Sequence, residues 1–146
     1  ELRELLAVPD SRIGEALKRL MTYSSIKEGM LLQTCNRVEV YAVVDQVESG
    51  FSSVQEVLVD SHLSLSAEQL LPHLYWHSGD RTISHLFRVT SSLDSMVVGE
   101  PQILGQVKNA FRSALTHNAS GAIFNKLVKK AISLAKRVRK IGRAHV

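Results

Sequence analysis

The sequence is poor in cysteine: Cys35 is the only one among 146 residues. A single thiol excludes an internal disulfide framework and any zinc site built from several cysteines. The six histidines do not replace them, because His73 and His77 lie four residues apart without a nearby third ligand. We therefore expect no bound metal, and a reducing, cytoplasmic environment in which a free thiol persists.

Long apolar runs and an N-terminal targeting segment are also missing. The longest apolar stretches, such as Met30–Leu32, are far shorter than the roughly 20 residues that cross a bilayer. The chain opens on Glu1-Leu2-Arg3-Glu4, without methionine and without the apolar core of a signal peptide. We therefore expect a trimmed chain with no membrane association. A hydrophobic fraction of 45% with 22% charged residues is typical of a globular fold.

Acidic side chains are absent from the last third of the sequence. Residues 1–100 hold eight Lys or Arg and all fourteen Asp or Glu, which gives a net charge of −6. Residues 101–146 hold ten Lys or Arg and no acid, which gives a net charge of +10. This asymmetry indicates a surface that faces a polyanion. A basic helix exterior that is merely solvated is the alternative interpretation.

Hydrophobic periodicity alternates between strand and helix in the first half and is helical afterwards. The predicted helices begin near Asp10, Ser53, Asp80, Pro101 and Gly121. The predicted strands are Met30–Thr34, Val38–Val44 and Leu74–His77. This order predicts an α+β fold, with an α+β subdomain over residues 1–79 and a helical subdomain over residues 80–146.

The segment around Cys35 has two unlike faces. Side chains alternate along a strand, so Cys35, Arg37, Glu39 and Tyr41 share one face if extension begins at the cysteine. The other face, which we interpret as a core face, is aliphatic: Val38, Val40, Ala42 and Val44. A neighbouring guanidinium favours a reactive thiolate. The residues alone leave open an inert buried thiol beside an ordinary Arg37–Glu39 surface pair.

Three ordered blocks of sequence carry a more specific pattern. The first is Leu32–Tyr41, with its Thr-Cys-Asn-Arg run. The second comprises His85–Val89 and Ser92–Lys108, and the third is Asn125–Arg139. In order and spacing, these blocks resemble the N-terminal catalytic domain of glutamyl-tRNA reductase over nearly the whole chain.

The resemblance implies an activity and its residues. In that family a cysteine thiolate attacks the aminoacyl ester of glutamyl-tRNA. NADPH then reduces the glutamyl thioester to glutamate-1-semialdehyde, the first step of tetrapyrrole synthesis. By position in the motifs, Cys35 is the expected nucleophile and His85 the expected acid–base residue. The expected substrate-binding residues are Thr34, Asn36, Arg37, Ser95, Glu100, Pro101, Gln102 and Gln106.

Within this set, the resemblance and the side-chain charges together suggest two roles. Arg37 suits the γ-carboxylate of the substrate, and Glu100 suits its α-ammonium group. The family also implies a small ferredoxin-like antiparallel sheet with helices, followed by helices alone. It further implies a homodimer of the full-length protein and a hand-over of product to glutamate-1-semialdehyde aminomutase.

The sequence departs from the full family pattern in three places. None of the eight glycines forms G-x-G-x-x-G, so we expect the NADPH-binding and dimerisation domains to lie outside this chain. The family's first strand is not found before Glu1, and Lys140-Ile141-Gly142 stands where relatives carry a Thr-Glu-Thr-like stretch. The alternative hypothesis is a non-catalytic tRNA-binding or regulatory module on the same scaffold. It would bind through Lys129, Lys130, Arg137 and Arg139.

Overall fold

The computed structural model describes residues 7–34, 36–61, 65–93 and 101–144, without the side chains of Pro101 and of residues 141–144. The helices in these ranges are α1 Asp10–Leu20, α2 Val47–Ser61, α3 Ala67–Leu70, α4 Asp80–Thr90, α5 Pro101–Thr116 and α6 Ala122–Ala144. Two strands, β1 Ile26–Gln33 and β2 Val38–Val44, pair antiparallel. A 3₁₀ turn at Leu71–His73 follows α3.

The predicted α+β class is confirmed, with two differences in the strands. Strand β2 has the predicted bounds, whereas β1 begins at Ile26 rather than at Met30. The predicted strand at Leu74–His77 is wrong, because no strand among the described residues pairs with it. Leu74 is extended (φ −84°, ψ 144°) after the 3₁₀ turn, but an extended backbone without ladder hydrogen bonds is not a strand.

Different helices approach the two faces of the sheet. Paired residues of antiparallel strands point to the same face, so the pairs Met30–Tyr41 and Leu32–Glu39 share one face. Gly29 lies on the opposite face, where a Cβ would come within 2.5 Å of Leu20 Cδ2 in α1. Helix α5 also packs on β1, and α4 packs against both α5 and α6. The C-terminal helices therefore cover the face that carries Glu39.

Burial along β2 differs from the expectation. Glu39 is 8% exposed and Tyr41 is 5% exposed, whereas the valines of the other face are only half-buried. Val40 and Val44 of that face do pack against the core, but the polar face is the more deeply buried one. The interpretation of Arg37 and Glu39 as a surface pair is therefore wrong, because helices from the second half of the chain cover that face.

A single core joins the two halves of the chain. Leu17, Met30 and Val57 belong to the same buried cluster as Val107 of α5 and Val128 of α6. The predicted division into subdomains over residues 1–79 and 80–146 stays a prediction, and this shared core crosses its boundary. None of the described helices is both long and apolar enough to span a membrane.

Helix α6 begins on a buried carboxylate of β1. Glu28 accepts hydrogen bonds from the backbone N–H groups of Gly121 (2.6 Å), Ile123 (3.2 Å) and Phe124 (3.0 Å). The first N–H groups of a helix have no acceptor within the helix, and negative charge is favourable there. Glu28 therefore fixes the start of α6 against the sheet.

Candidate active site

The connection between β1 and β2 is organised by Thr34. Its hydroxyl oxygen accepts hydrogen bonds from the backbone N–H groups of Asn36 and Arg37, both at 3.2 Å. The Thr34 N–H donates to the Arg37 carbonyl oxygen at 2.9 Å. These bonds hold Asn36 and Arg37 beside Thr34. Cys35, which stands between them in the sequence, lies outside the described residues.

The buried Glu39 carboxylate, two residues further along, contacts polar side chains from three segments. Tyr41 of the same strand donates its hydroxyl hydrogen to Oε1 at 2.8 Å. Tyr75, from the segment between the 3₁₀ turn and α4, donates to Oε2. His85 Nε2 of α4 also hydrogen-bonds to Oε2, and Arg37 Nη1 lies 3.7 Å from that oxygen. Glu39 therefore links the sheet to α4 at the start of β2, next to the β1–β2 connection.

Both phenols of this cluster keep their protons. Burial, reinforced by the negative charge of Glu39, raises the pKa of Tyr41 well above its ordinary value. Tyr75 is 53% exposed, but partial desolvation of its phenol and the hydrogen bond to Glu39 raise its pKa in the same direction. Because a protonated phenol donates, each Tyr–Glu39 bond requires an accepting oxygen on Glu39.

The rings of Tyr75 and His77 pack against the imidazole of His85. The Tyr75 ring meets it edge-on, with centroids 5.8 Å apart, and the His77 ring lies 4.7 Å away at a tilt. Further along the same segment, Trp76 packs against Phe51 of α2 at 4.6 Å. These contacts limit the orientations that the His85 ring can adopt, and they hold the segment that follows the 3₁₀ turn against both α2 and α4.

A cavity of about 910 Å³ opens beside this cluster. Its polar part includes five of the predicted site residues: Thr34, Asn36, Arg37, His85 and Gln106. Its apolar part continues along the half-buried valine face of β2. A volume of this size accommodates a small-molecule substrate or an aminoacyl group.

One wall of the cavity carries an unsatisfied acceptor. Gln106 Oε1 of α5 is buried and has no hydrogen-bond partner within the described part of the chain. Buried side-chain oxygens without a partner are rare, and each one is a candidate for contact with a ligand or an ordered water. Gln102, one turn earlier, is exposed and does not line the cavity.

The remaining predicted site residues cannot be placed. Ser95 and Glu100 lie outside the described residues, as does Cys35, and the side chain of Pro101 is likewise outside them. Their assignment to the site stays a prediction.

Sequence reasoning missed four members of the cluster. Glu39 and Tyr41 were placed on the face of Cys35, and this period-two spacing was a signal for including Glu39 in the site. Tyr75 and His77 gave no comparable signal, because they reach the site through a segment without regular structure. Their approach to His85 depends on tertiary packing.

The described residues do not form a metal or dinucleotide site. Within them, no group of three or more His, Asp or Glu side chains could hold a metal ion. The sheet is a two-stranded antiparallel one, and no glycine-rich G-x-G-x-x-G turn is present in the sequence. A dinucleotide fold needs parallel strands with such a turn, so the residues present do not fit NADPH.

The exterior of α6 is strongly basic. Its exposed cations are Lys126, Lys129, Lys130, Lys136, Arg137 and Lys140, and Arg139 is half-buried. The buried stripe of the same helix contains Phe124, Val128, Ala131 and Ala135. The charges therefore lie on the side of the helix that faces away from the core, where they are accessible to an anionic partner.

Comparison with known proteins gives one consistent family. The sequence matches the family described as "Glutamyl-tRNAGlu reductase, N-terminal domain" over residues 1–141. The glutamyl-tRNA reductase of Geobacter metallireducens is 46% identical over 139 residues, which cover 95% of this chain and 32% of the relative. The Bacillus subtilis glutamyl-tRNA reductase is 43% identical over 137 residues, covering 94% of this chain and 30% of the relative.

A solved structure agrees with these sequence relatives. The glutamyl-tRNA reductase from Methanopyrus kandleri superposes with a TM-score of 0.66 at 32% sequence identity. The match covers 94% of this chain and 31% of the solved one, so the chain spans about a third of the length of its relatives. On these matches, the chain belongs to the glutamyl-tRNA reductase family and corresponds to its N-terminal domain.

Proposed function

We propose that this chain is the acyl-transfer domain of a glutamyl-tRNA reductase, in which Cys35 takes the glutamyl group from glutamyl-tRNA as a thioester. One observation carries the proposal. Thr34, Asn36 and Arg37, which flank Cys35 in the sequence, line the same cavity as His85 and Gln106 from two distant helices. The names of the relatives supply the substrate, and the cavity contains groups of the matching chemistry.

The proposed step is an acyl transfer at the ester carbonyl. The Cys35 thiolate attacks the carbonyl carbon, a C–S bond forms, and the C–O bond to the terminal ribose of the tRNA breaks. His85 takes the thiol proton and returns it to the ribose oxygen, so that the tRNA leaves as an alcohol. A general acid–base group of this kind typically contributes about 10²–10⁴ in rate.

The charged groups of the glutamyl moiety find complementary groups in the cavity. Arg37 presents a planar guanidinium that suits the γ-carboxylate. Its 3.7 Å separation from Glu39 is longer than a hydrogen bond, so this pairing does not use up its donors. The unsatisfied Gln106 Oε1 can accept a hydrogen bond from the α-ammonium group. Ser95, Glu100 and Pro101 stay predicted contacts.

Reduction of the thioester lies beyond the residues of this chain. Because the described residues do not fit NADPH, we propose that this cofactor is bound by a part of the full-length protein that this chain does not include. Homodimer formation and hand-over of the product to glutamate-1-semialdehyde aminomutase belong to the same proposal. So does a cytoplasmic location, where a lone thiol stays reduced.

The exposed cations of α6 are the proposed contact with the tRNA backbone. Phosphate neutralisation accounts for much of the affinity of proteins for nucleic acids and makes it dependent on salt. We expect the substitutions Lys129→Gln and Lys130→Gln to weaken binding of glutamyl-tRNA and to reduce its salt dependence. Thioester formation at saturating glutamyl-tRNA should change little, because these side chains lie away from the cavity.

The decisive experiment traps the thioester. Incubation with tRNA charged with labelled glutamate, without NADPH, should place label on Cys35, and Cys35→Ser should carry none. His85→Gln should slow labelling by about 10²-fold or more. His117→Gln is the matched control, because His117 is also half-buried but does not line the cavity. Equal labelling of the Cys35→Ser protein would show that Cys35 is not the nucleophile.

The exposed basic face of α6 favours one rival, a tRNA-binding module with an inert thiol. Alkylation of the peptide that contains Cys35, followed by mass spectrometry over a range of pH, separates the two. A catalytic thiol should react well below pH 8.5 or so, where an ordinary thiol is protonated. Binding of tRNA with an ordinary alkylation profile would favour the module.

A further inference from the structure

The geometry points to Glu39 as a positioning residue that holds His85 with its proton on Nε2 and leaves Nδ1 as the nitrogen that exchanges protons. This inference rests on the proposed role of His85 in acyl transfer. Glu39 itself was not among the predicted site residues, and it touches the reaction only through the imidazole.

The hydrogen bonds on Glu39 determine the direction of proton donation. Its two oxygens accept from the hydroxyl groups of Tyr41 and Tyr75, and the pKa of each phenol lies above its ordinary value, so both donate. Each carboxylate oxygen of Glu39 is therefore already engaged as an acceptor. The bond between Glu39 Oε2 and His85 Nε2 therefore requires the hydrogen to be on Nε2.

This arrangement fixes the chemistry of the other nitrogen. When Nε2 carries the hydrogen of a neutral imidazole, Nδ1 carries the lone pair and is the atom that can accept a proton. The carboxylate also stabilises the imidazolium that forms when Nδ1 takes that proton. Rings of Tyr75 and His77 restrain the plane of the imidazole, so that its orientation is set before substrate arrives.

The charged and titratable groups around His85 come from three parts of the chain. Strand β2 and the turn before it contribute Arg37, Glu39 and Tyr41, and the segment before α4 contributes Tyr75 and His77. Among these contacts, Glu39 is the group that hydrogen-bonds directly to the His85 ring. Replacement of Glu39 should therefore remove the hydrogen bond that fixes the tautomer of the His85 ring.

The first test measures the tautomer directly. Long-range ¹H–¹⁵N spectra of the ¹⁵N-histidine-labelled protein, recorded at about pH 9 where an ordinary imidazole is neutral, should show His85 with its hydrogen on Nε2. His85→Gln assigns the signal. Glu39→Gln should abolish this single preference, whereas Glu56→Gln should not. Glu56 is the matched control because it also accepts a phenol hydrogen bond, from Tyr23, but on the exposed surface.

The second test asks whether Glu39 acts through His85. Glu39→Gln should reduce the rate of thioester formation at saturating glutamyl-tRNA by about 10²-fold, with tRNA affinity altered much less. Combined with His85→Gln, it should cause almost no further loss, because residues acting as a unit are not additive. A full additional loss in the double variant would overturn the inference.

The outcomes of these two tests can refute the positioning role of Glu39 and the proposed acyl transfer independently of each other. A wild-type protein that forms no thioester would refute acyl transfer, but the tautomer measurement would still stand. Conversely, a wild-type His85 with its hydrogen on Nδ1 would overturn the positioning role even if labelling succeeds. If Glu39→Gln does not fold, the wild-type spectrum and the Tyr75→Phe variant, which removes one donor from Oε2, test the same arrangement.

Discussion

Glu28 and Glu39 are two buried glutamates on the same face of the sheet, and their surroundings differ completely. Glu28 is 7% exposed and Glu39 is 8% exposed. Backbone N–H groups at the start of α6 satisfy Glu28. Side chains satisfy Glu39, and they include two phenols and the imidazole of His85.

The difference between the two carboxylates lies in what their partners can do. A backbone N–H group can only donate a hydrogen bond. The contacts of Glu28 therefore have a structural role, which is to fix the start of α6. The partners of Glu39 can titrate or reorient, and they lie beside a cavity of about 910 Å³. Burial of a charge alone therefore does not mark a functional site; the chemistry of the partners does.

Replacement of Glu28 should have the largest effect on stability. Glu28→Ala leaves three backbone N–H groups at the start of α6 without their acceptor. An unsatisfied buried donor costs about 1–3 kcal/mol, so we expect the free energy of unfolding in urea to fall by about 3 kcal/mol. Rates of thioester formation, corrected for the folded fraction, should stay near those of the wild type.

Glu39→Gln is the matched comparison for that measurement. It should lower the rate of chemistry far more than it lowers stability, which is the reverse of Glu28→Ala. Similar losses of stability in both variants, with chemistry intact in both, would remove the distinction between the two carboxylates.

The second-largest effect on stability should come from alkaline pH, which ionises Tyr41 beside Glu39. Because burial raises the pKa of Tyr41 above its ordinary 10.0, the folded state holds this proton more tightly than the unfolded state. The resulting stability is complete below pH 10 and is lost as pH rises above it, by about 1.4 kcal/mol per pH unit. Urea unfolding between about pH 8 and 11 should show this loss.

Two variants test how much of that slope comes from Tyr41. Tyr41→Phe should reduce the alkaline loss without removing it, because Tyr75, whose pKa is raised in the same direction, still titrates. Tyr23→Phe is the control, since Tyr23 also donates to a glutamate, Glu56, but in an exposed pair. An alkaline slope unchanged by Tyr41→Phe would mean that other groups cause it.

The sequence predicted more of the cavity-lining residues than of the packing that surrounds them. Family motifs around Cys35 and in α4 and α5 predicted site roles for Thr34, Asn36, Arg37, His85 and Gln106. These residues line one cavity, and their roles stay predictions. Strand periodicity predicted two unlike faces for β2. It could not predict which face is buried more deeply, because helices that begin forty or more residues later cover the polar one.

Long-range partners explain what the sequence could not predict. The acceptor that starts α6 is Glu28, which lies more than ninety residues before it. Tyr75 reaches Glu39 across 36 positions, from a segment that was wrongly predicted as a strand. In both cases the partners are far apart in the sequence and are brought together by tertiary packing, so no local sequence pattern indicates the contact.

The smallest expected effect concerns the packing of Gly121 against Glu28. A Cβ at Gly121 would lie 3.0 Å from Glu28 Cδ, so Gly121→Ala must displace the carboxylate that receives the α6 amides. We expect urea unfolding to show a loss of about 1 kcal/mol. Gly105→Ala in α5 is the control: its Cβ meets no described atom within 4 Å, and it should stabilise the helix by about 0.5–1 kcal/mol. If Gly121→Ala is as stable as Gly105→Ala, then Glu28 can shift freely, and its backbone contacts are less constrained than the Glu39 cluster.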